Sequence, residues 1–253
     1  MDLSADIALA HRLADAAGAA IRPWFRAGFA QEQKADRSPV TQADREAEAV
    51  IRALLQRERP GDGIIGEEYG NERAESERVW VLDPIDGTRS FIAGRPIFGT
   101  LIALMVGGRP VLGLLDQPIS GERWIGGDGH PTELNGQRVR VRPCGELRKA
   151  LFATTAPWFC GPFEALRAAT GDTLLGGDCY NYALLAAGHA DLVVEEGLQL
   201  YDWAALLPIV EAAGGRMTDW SGGPLGAGSD GRVIAAGDPA LVEQALAVMS
   251  LRN

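Results

Sequence analysis

Residues 79–91 read VWVLDPIDGTRSF, and this stretch is an apolar strand that ends in two aspartates. Asp83 and Asp86 bracket Pro84, so two like charges lie within one turn, where they repel each other and lose water as the strand packs. Pro84 fixes its own φ and lacks an N–H, which stiffens the backbone between the two carboxylates. The pattern indicates that a cation, which the sequence itself does not supply, binds at this turn.

The residues of the same turn predict a metal site and an anion site side by side. The carboxylates of Asp83 and Asp86, with the carbonyl of Ile85 between them, suit Mg²⁺ or another hard divalent cation. Gly87 lets the backbone approach a ligand closely, and a helix that begins at Thr88 would direct free N–H groups at an anion. Together these features describe a site for a phosphate ester. The alternative is an Asx-type turn that caps a short helix.

Length and composition fit a globular protein of one large domain or two tightly joined ones. The chain has 253 residues, of which 46% are apolar and 23% are charged. After about residue 143 the pattern changes to alternating strands and helices. We therefore divide the chain into residues 1–142, an α+β half that binds metal and phosphate, and residues 143–253, an α/β half that completes the site.

Charge and cysteine content exclude several classes of protein. The formal net charge is −10, without the basic footprint of a nucleic-acid binder. We find neither an apolar run of the roughly 18 residues that a membrane span needs nor a signal or transit peptide. Three cysteines without metal-type spacing favour a reducing cytoplasm, and three scattered histidines argue against zinc. The excess of acids reflects either solubility or metal ligands.

Further acids lie where apolar elements begin or end. Glu67 and Glu68 follow a short strand, and we expect Glu68 to be a solvated neighbour rather than a ligand. Asp202 begins an apolar helix, where it is either an ordinary N-cap or a ligand. Thr41 is a plausible N-cap of the helix after the first polar loop, and Asp44 follows it in the manner of a capping box.

Three stretches, in this order, resemble the inositol monophosphatase-like superfamily of Mg²⁺-dependent, lithium-sensitive phosphatases. They are GEE at residues 66–68, WVLDPIDGTRSF at 80–91 and YDWAALLPIVEAAGG at 201–215. The D-P-[IL]-D-G-T signature is specific, and an acidic helix start follows it downstream. Together the three stretches are spread over most of the chain. The resemblance implies an α/β fold, a layered αβαβα sandwich, and usually a homodimer.

The resemblance also assigns roles to individual residues. It implies two or three Mg²⁺ ions per site, and their ligands are Glu67, Asp83, the Ile85 carbonyl, Asp86, Asp202 and Asp44. Gly87 and Thr88 position the phosphate and the nucleophile. Thr41 helps to position Asp44, which serves a third, weaker metal, and the role of Lys34 in the same loop is open. The implied reaction is hydrolysis by a water that Mg²⁺, Thr88 and Glu67 activate.

Two other stretches look closest to the histidinol-phosphate phosphatase branch, and they read GLLDQPISGERWIG at 113–126 and GGDCYNYALLAAGHADLVVEEGLQLYDWAAL at 176–206. Glu195 matches the family position that meets the leaving alcohol, and Asp178 would flank it. Histidinol phosphate carries an ammonium and an imidazole, so acids suit its non-phosphate end.

The identity of the substrate stays open at this point. Arg89, after D-G-T, also occurs in adenosine bisphosphate phosphatases and does not decide the branch. Asp178 has helix capping as its alternative role, and Glu195 has that of a surface residue at a strand end. Glu195 would also suit the hydroxyls of inositol 1-phosphate, and a broad sugar or nucleotide phosphatase is a further candidate. A non-catalytic anion-binding module is the alternative from outside the enzymes.

Overall fold

The computed structural model describes residues 2–27, 31–33 and 39–250, and it gives only the backbone of 31–33 and 39–41. Lys34 and the side chain of Thr41 lie outside the described residues, so the roles expected for them stay predictions. The helices are α1 (Ser4–Ile21), α2 (Gln42–Glu58), α3 (Thr88–Ile92), α4 (Phe163–Ala169), α5 (Tyr180–Ala186), α6 (Leu200–Trp203), α7 (Leu206–Ala212) and α8 (Ala240–Ser250).

The strands fall into two large sheets and one small hairpin. The hairpin pairs β1 (Gln31–Gln33) with β2 (Pro39–Thr41). The first half of the chain supplies β3 (Gly63–Gly66), β4 (Gly70–Glu72), β5 (Arg78–Asp86), β6 (Gly99–Val106), β7 (Arg109–Gln117), β8 (Glu122–Gly127), β9 (His130–Leu134) and β10 (Gln137–Arg138). The second half supplies β11 (Leu151–Thr154), β12 (Asp172–Leu175), β13 (Leu192–Glu195), β14 (Arg216–Thr218) and β15 (Val233–Ala236).

Strand order explains which strand ends meet at the site. The larger sheet has the order β10-β9-β8-β7-β6-β5-β3-β4, and within it only the β3–β5 pair is parallel. The smaller sheet has the order β12-β11-β13-β15-β14. Because β3 and β5 run in the same direction, the residues that follow them emerge at the same edge. Each sheet lies on one side of residue 142, and whether the two halves are separate units stays a prediction.

Three apolar layers hold the sheets and helices together, and they confirm the expected αβαβα sandwich. The first layer packs α1 and α2 against one face of the larger sheet around Leu13, Ile51 and Trp80. The second lies between the two sheets, where α5 and α7 pack around Trp203. The third places α4 and α8 on the outer face of the smaller sheet, around Phe152. Burying these faces supplies the main driving force for the fold.

The Gly107–Gly108 turn joins β6 and β7 as the sequence predicts. Both glycines have positive φ, 56° and 78°. Two successive residues in this region form the tight turn that matches the twist of a hairpin, and residues other than glycine adopt it at a cost.

Three local expectations differ from the structure. The apolar spacing of the helix after the first polar loop predicts a buried stripe of Val50, Ile51, Leu54 and Leu55. Val50 is instead 37% exposed, and Ala47 is buried beside Ile51 and Leu55. The single helix expected after Asp202 is two helices, α6 and α7, because Pro208 cannot donate to the carbonyl of the residue four positions earlier and its ring crowds that carbonyl. Strand β12 is absent from the sequence-based prediction, since its four residues, DTLL, show no alternation of apolar and polar side chains and are mostly exposed.

Within the described residues, no helix is both long enough and apolar enough to cross a membrane.

Candidate active site

A bulge at the end of β5 turns its two aspartates toward one point. In the pairing of β5 with β6, Asp83 is opposite Leu101 and Asp86 is opposite Gly99, so β5 contains one more residue than its partner. Such a bulge leaves a residue outside the ladder, and proline tolerates that position because it has no N–H to pair. The strand therefore continues past Pro84 to Asp86.

Short contacts fix the bulge. The buried Thr100 hydroxyl donates to the carbonyl of Pro84 at 2.7 Å. The N–H of Ile85 donates to Oδ1 of Asp83 at 3.1 Å, and the hydroxyl of Thr88 donates to the carbonyl of Ile85 at 3.1 Å. A carbonyl oxygen has two lone pairs, so the Ile85 carbonyl can bind a cation and still accept this hydroxyl.

Asp202 joins the pair from the other half of the chain. Each of Asp83, Asp86 and Asp202 offers a carboxylate oxygen, and these three oxygens lie within 4.8 Å of one another. Asp202 is the third residue of α6, and its Oδ2 accepts the N–H of Gln199 at 2.6 Å in a capping box. The expected N-cap role is wrong, because Gln199 is the N-cap of α6 and Asp202 is the N3 acid of its capping box. The same carboxylate also faces the other two acids, so the ligand role stays a prediction.

Glu67 and Asp44 approach the same cluster from two further elements. Gly66 pairs with Leu82 in the parallel ladder, and the N–H of Glu67 donates to the carbonyl of Leu82 at 3.2 Å. Glu67 therefore follows β3 beside the position where Asp83 follows Leu82 in β5. Asp44 lies in the first turn of α2 and is 1% exposed.

The electrostatics of the cluster favour a bound cation. Burial raises the pKa of Asp83 well above its usual range, and the carboxylates of Glu67, Asp86, Asp202 and Asp44 raise it further. Burial, then the charges of Asp178 and Asp202, raise the pKa of Asp86 in the same way. Burial raises the pKa of Asp202 to about 7, against the lowering effect of the Gln199 N–H. Buried oxygen donors that repel one another are the donor set that a hard divalent cation neutralises, so the residues fit Mg²⁺.

The turn after β5 holds the elements expected to bind phosphate. Gly87 has φ 82° and precedes α3. A Cβ at Gly87 would lie 2.8 Å from Oδ2 of Asp178, so the position also needs glycine for space. The Ser90 hydroxyl donates to the same Oδ2 at 2.9 Å. Burial raises the pKa of Asp178, whereas Ser90, Arg95 and the exposed Arg89 lower it.

A cavity of about 150 Å³ opens beside the acids, and its walls combine acidic and apolar groups. Asp86, Asp202, Asp178 and Glu195 contribute carboxylates to its lining, with Phe159 among the apolar residues. The backbone N–H of Cys179 lies on the same wall and donates to Oδ2 of Asp86 at 2.7 Å.

Glu195, at the end of β13, is 2% exposed and therefore is not the surface residue considered as an alternative. Its Oε1 accepts the N–H of Thr155 at 2.8 Å, and its Oε2 accepts the hydroxyl of Tyr182 at 3.1 Å. Burial raises the pKa of Glu195 to about 7, against the lowering effect of these two donors. Near neutral pH this group can therefore bind a cation or exchange a proton.

The structure thus brings the predicted acids of the described residues to one place, although their roles stay predictions. The expectation for Glu68 is also wrong, since its side chain is only 3% exposed and forms an ion pair with Arg45 at 3.6 Å. Sequence reasoning also missed Ser90 and Tyr182, which hold Asp178 and Glu195. Their partners are 88 and 13 residues away, and nothing in the two quoted stretches that contain Ser90 and Tyr182 indicates these contacts.

Comparisons with known proteins identify the family of this chain. The model of the inositol monophosphatase family matches residues 2–251. A bifunctional phosphatase, IMPL2, of Arabidopsis thaliana is 46% identical over 94% of this chain and 73% of its own length. A histidinol-phosphatase of Chlorobaculum parvum is 37% identical over 87% of this chain and 88% of its own.

The fold has solved relatives as well. A structure described as an inositol monophosphatase from Zymomonas mobilis superimposes with a TM-score of 0.91 at 56% identity and covers 99% of both chains. This chain belongs to the inositol monophosphatase family of phosphatases.

Proposed function

We propose that this protein is a Mg²⁺-dependent phosphomonoesterase that hydrolyses L-histidinol phosphate to L-histidinol and phosphate. The observation that carries the proposal is the acidic cavity, which places Glu195 and Asp178 beside the cluster of Asp83, Asp86 and Asp202. A phosphate needs the cations that the cluster would hold, and a cationic leaving group needs the acids of the cavity. The relatives named histidinol-phosphatase support this choice of substrate.

The residues that would hold Mg²⁺ are Glu67, Asp83, the Ile85 carbonyl, Asp86, Asp202 and, for a weaker ion, Asp44. When bound, Mg²⁺ neutralises charge on the phosphoryl oxygens and on the leaving oxygen and lowers the pKa of a coordinated water.

Thr88 and Glu67 would orient the attacking water. The Thr88 hydroxyl donates its proton to the Ile85 carbonyl, so its own oxygen is left to accept a hydrogen from water. Glu67 offers a second acceptor beside Asp83 and would take the proton that the water loses. Gly87 lies where its backbone can approach a phosphoryl oxygen closely, since it has no side chain.

Glu195 would bind the amine of the leaving alcohol. Its two oxygens already accept from Thr155 and Tyr182, and a carboxylate has room for a further donor such as an ammonium. An ammonium nearby favours the ionised form of Glu195, so substrate binding and ionisation support each other. Asp178 adds a second acid on the wall of the cavity.

Inositol 1-phosphate is the second candidate substrate, and one observation favours it. The structural relative at 56% identity is described as an inositol monophosphatase. Glu195 would then accept hydrogen bonds from ring hydroxyls instead of an ammonium.

Phosphate release from both substrates, with Mg²⁺ and with EDTA, tests the proposal. We expect kcat/KM for histidinol phosphate to exceed that for inositol 1-phosphate by ~10-fold or more, since a hydrogen bond to a charged group contributes about 1.5–3 kcal/mol. A clear preference for inositol 1-phosphate would assign the second substrate. If a panel of sugar and nucleotide monophosphates is hydrolysed equally well, the protein is a broad phosphatase. A lack of Mg²⁺-dependent turnover on any of these esters would leave an anion-binding module.

Variants at two adjacent residues, one inside the cavity lining and one outside it, test whether the cavity determines the choice of substrate. Glu195→Gln should change the ratio of kcat/KM between the two substrates. Glu196→Gln is the matched control, because Glu196 lies next in the chain and accepts the N–H of Gly161 at 2.8 Å outside the cavity lining. If both variants leave the substrate ratio unchanged, the role assigned to Glu195 is wrong.

The homodimer and the cytoplasmic location remain predictions, and sedimentation at two protein concentrations would test the first.

A further inference from the structure

Glu48 is a buried acid that the proposed chemistry does not use. It lies in α2 one turn after Asp44, and it is 0% exposed. Residues four apart share one face of a helix, so Glu48 and Asp44 both point away from solvent on the same side. Burying a carboxylate is costly unless hydrogen bonds compensate it, so its contacts need an explanation.

The contacts of Glu48 join α2 to the turn that follows β3. Its Oε2 accepts the backbone N–H of Glu68 at 2.8 Å, and its Oε1 accepts the N–H of Tyr69 at 3.2 Å. Oε1 also accepts from Nε of Arg52 at 2.7 Å. The first two donors belong to the residues directly after Glu67, so Glu48 determines where that turn sits relative to the helix.

Gly66 provides the space for this contact. A Cβ at Gly66 would lie 2.1 Å from Oε1 of Glu48, which is far inside van der Waals contact. The φ of Gly66 is outside the left-handed region, so its backbone would accept an alanine without strain. The need for glycine therefore comes mainly from the carboxylate that lies against it, since the other close atom, Nη2 of Arg52 at 2.8 Å, is the end of a flexible side chain.

We propose that Glu48 is a positioning residue that ties α2 to the β3 turn and so fixes Asp44 and Glu67 in one geometry for metal binding. The inference rests on the proposed function in that it takes Asp44 and Glu67 as metal ligands. Two ligands on separate elements bind an ion well only if those elements keep their spacing, and residues that support ligands commonly contribute 10–100-fold to metal affinity.

Glutamine cannot replace Glu48 in this role. Both oxygens of Glu48 accept from N–H donors, and an amide has only one oxygen. Whichever way the new side-chain amide of the Glu48→Gln variant were turned, its NH₂ group would face an N–H. We therefore expect Glu48→Gln to release the turn and weaken Mg²⁺ binding by roughly 10–100-fold.

Asp116→Asn is the matched control for the loss of a buried charge. Asp116 is 4% exposed and accepts from Nε of Arg123 at 2.7 Å, the same distance as in the pair of Glu48 with Arg52. Asp116 lies on β7, which is separated from β5 by β6 in the larger sheet. Metal binding by titration calorimetry and hydrogen exchange of the Glu68 and Tyr69 amides give readouts that do not depend on turnover.

We expect Glu48→Gln to weaken Mg²⁺ binding and to speed exchange at the two amides, while Asp116→Asn leaves both unchanged. If the two variants lower the melting temperature alike and bind Mg²⁺ like the wild type, Glu48 is only structural and the inference is overturned. If the wild type itself binds no Mg²⁺, the proposed function fails instead.

A second pair of variants keeps the test decisive if Glu48→Gln folds poorly. Gly66→Ala should weaken Mg²⁺ binding by itself, because the methyl group displaces the carboxylate. In a Glu48→Ala background the same change should add almost no further loss, since the carboxylate is already gone. Additive losses would show that Gly66 acts independently of Glu48 and would overturn the inference.

Discussion

Glu195→Gln should stabilise the metal-free protein more at pH 8 than at pH 5. Glu195 is buried between Thr155 and Tyr182, and burial raises its pKa from 4.5 in the unfolded chain to about 7 in the fold. A carboxyl with a raised pKa stabilises the fold fully below the unfolded value, and this contribution is lost as pH rises through the folded value. Glutamine does not titrate, so the stability of the variant does not fall with this ionisation as the pH rises.

The size of the effect follows from the two pKa values. Between pH 5 and pH 8, proton linkage for a group that moves from 4.5 to about 7 changes the free energy of unfolding by about 2.5 kcal/mol. For a protein of this size each kcal/mol shifts the melting temperature by roughly 2–4 °C. The difference in melting temperature between variant and wild type should therefore grow by roughly 5–10 °C across this range.

Differential scanning calorimetry in EDTA at pH 5, 6, 7 and 8 measures this difference. The other acids of the cluster titrate in both proteins, so their effect cancels to first order when the two melting temperatures are subtracted. Any change in hydrogen bonding that does not depend on pH shifts the difference in melting temperature by the same amount at every pH. A difference that stays constant from pH 5 to pH 8 would refute the claim that Glu195 is protonated in the metal-free fold near neutral pH.

Three further variants test the site and the packing around it. Asp86→Asn should lower kcat by at least ~10³-fold, and a variant that keeps wild-type kcat would contradict the ligand role. In EDTA at pH 8 the same variant should have a higher melting temperature than the wild type, because it removes one charge from a buried cluster. Thr88→Ala should lower kcat with little change in Mg²⁺ affinity, since it removes a hydroxyl that donates a hydrogen bond to the Ile85 carbonyl but removes no metal ligand. Steady-state kinetics measures kcat, and titration calorimetry of the same variant measures the Mg²⁺ affinity. Gly113→Ala should lower the free energy of unfolding by about 3 kcal/mol or more in urea denaturation, because its Cβ would lie 1.8 Å from the carbonyl oxygen of Ala205. A loss below about 1 kcal/mol would show that α7 moves freely away from the sheet.

Part of the acid cluster could be predicted because its signals are local, whereas the sandwich and the full ligand set were implied by the family resemblance. Asp83, Asp86 and Glu67 each follow an apolar strand, and strand ends that share an edge bring such residues together. The break between α6 and α7 was also accessible, since Pro208 lies inside the apolar pattern and the prediction of one helix passed over it.

Other features depend on contacts between distant residues, which one sequence does not reveal. Glu195 was identified by resemblance, but its burial and its donors Thr155 and Tyr182 follow from how β13 packs against β11 and α5. Glu48 looked like any polar residue of an amphipathic helix, because only the folded chain brings the Glu68 amide to it. The exposure of Val50 follows from the direction in which α2 docks on the sheet.

The cluster unites Asp83 and Asp86 with Asp202, which lies about four-fifths of the way along the chain. During synthesis, a ribosome must release nearly the whole polypeptide before all three carboxylates can meet. A nascent chain that stalls earlier can form much of the larger sheet, yet it lacks the third acid and cannot complete the cage for an ion. A cation held by all three carboxylates would therefore report that translation has passed α6.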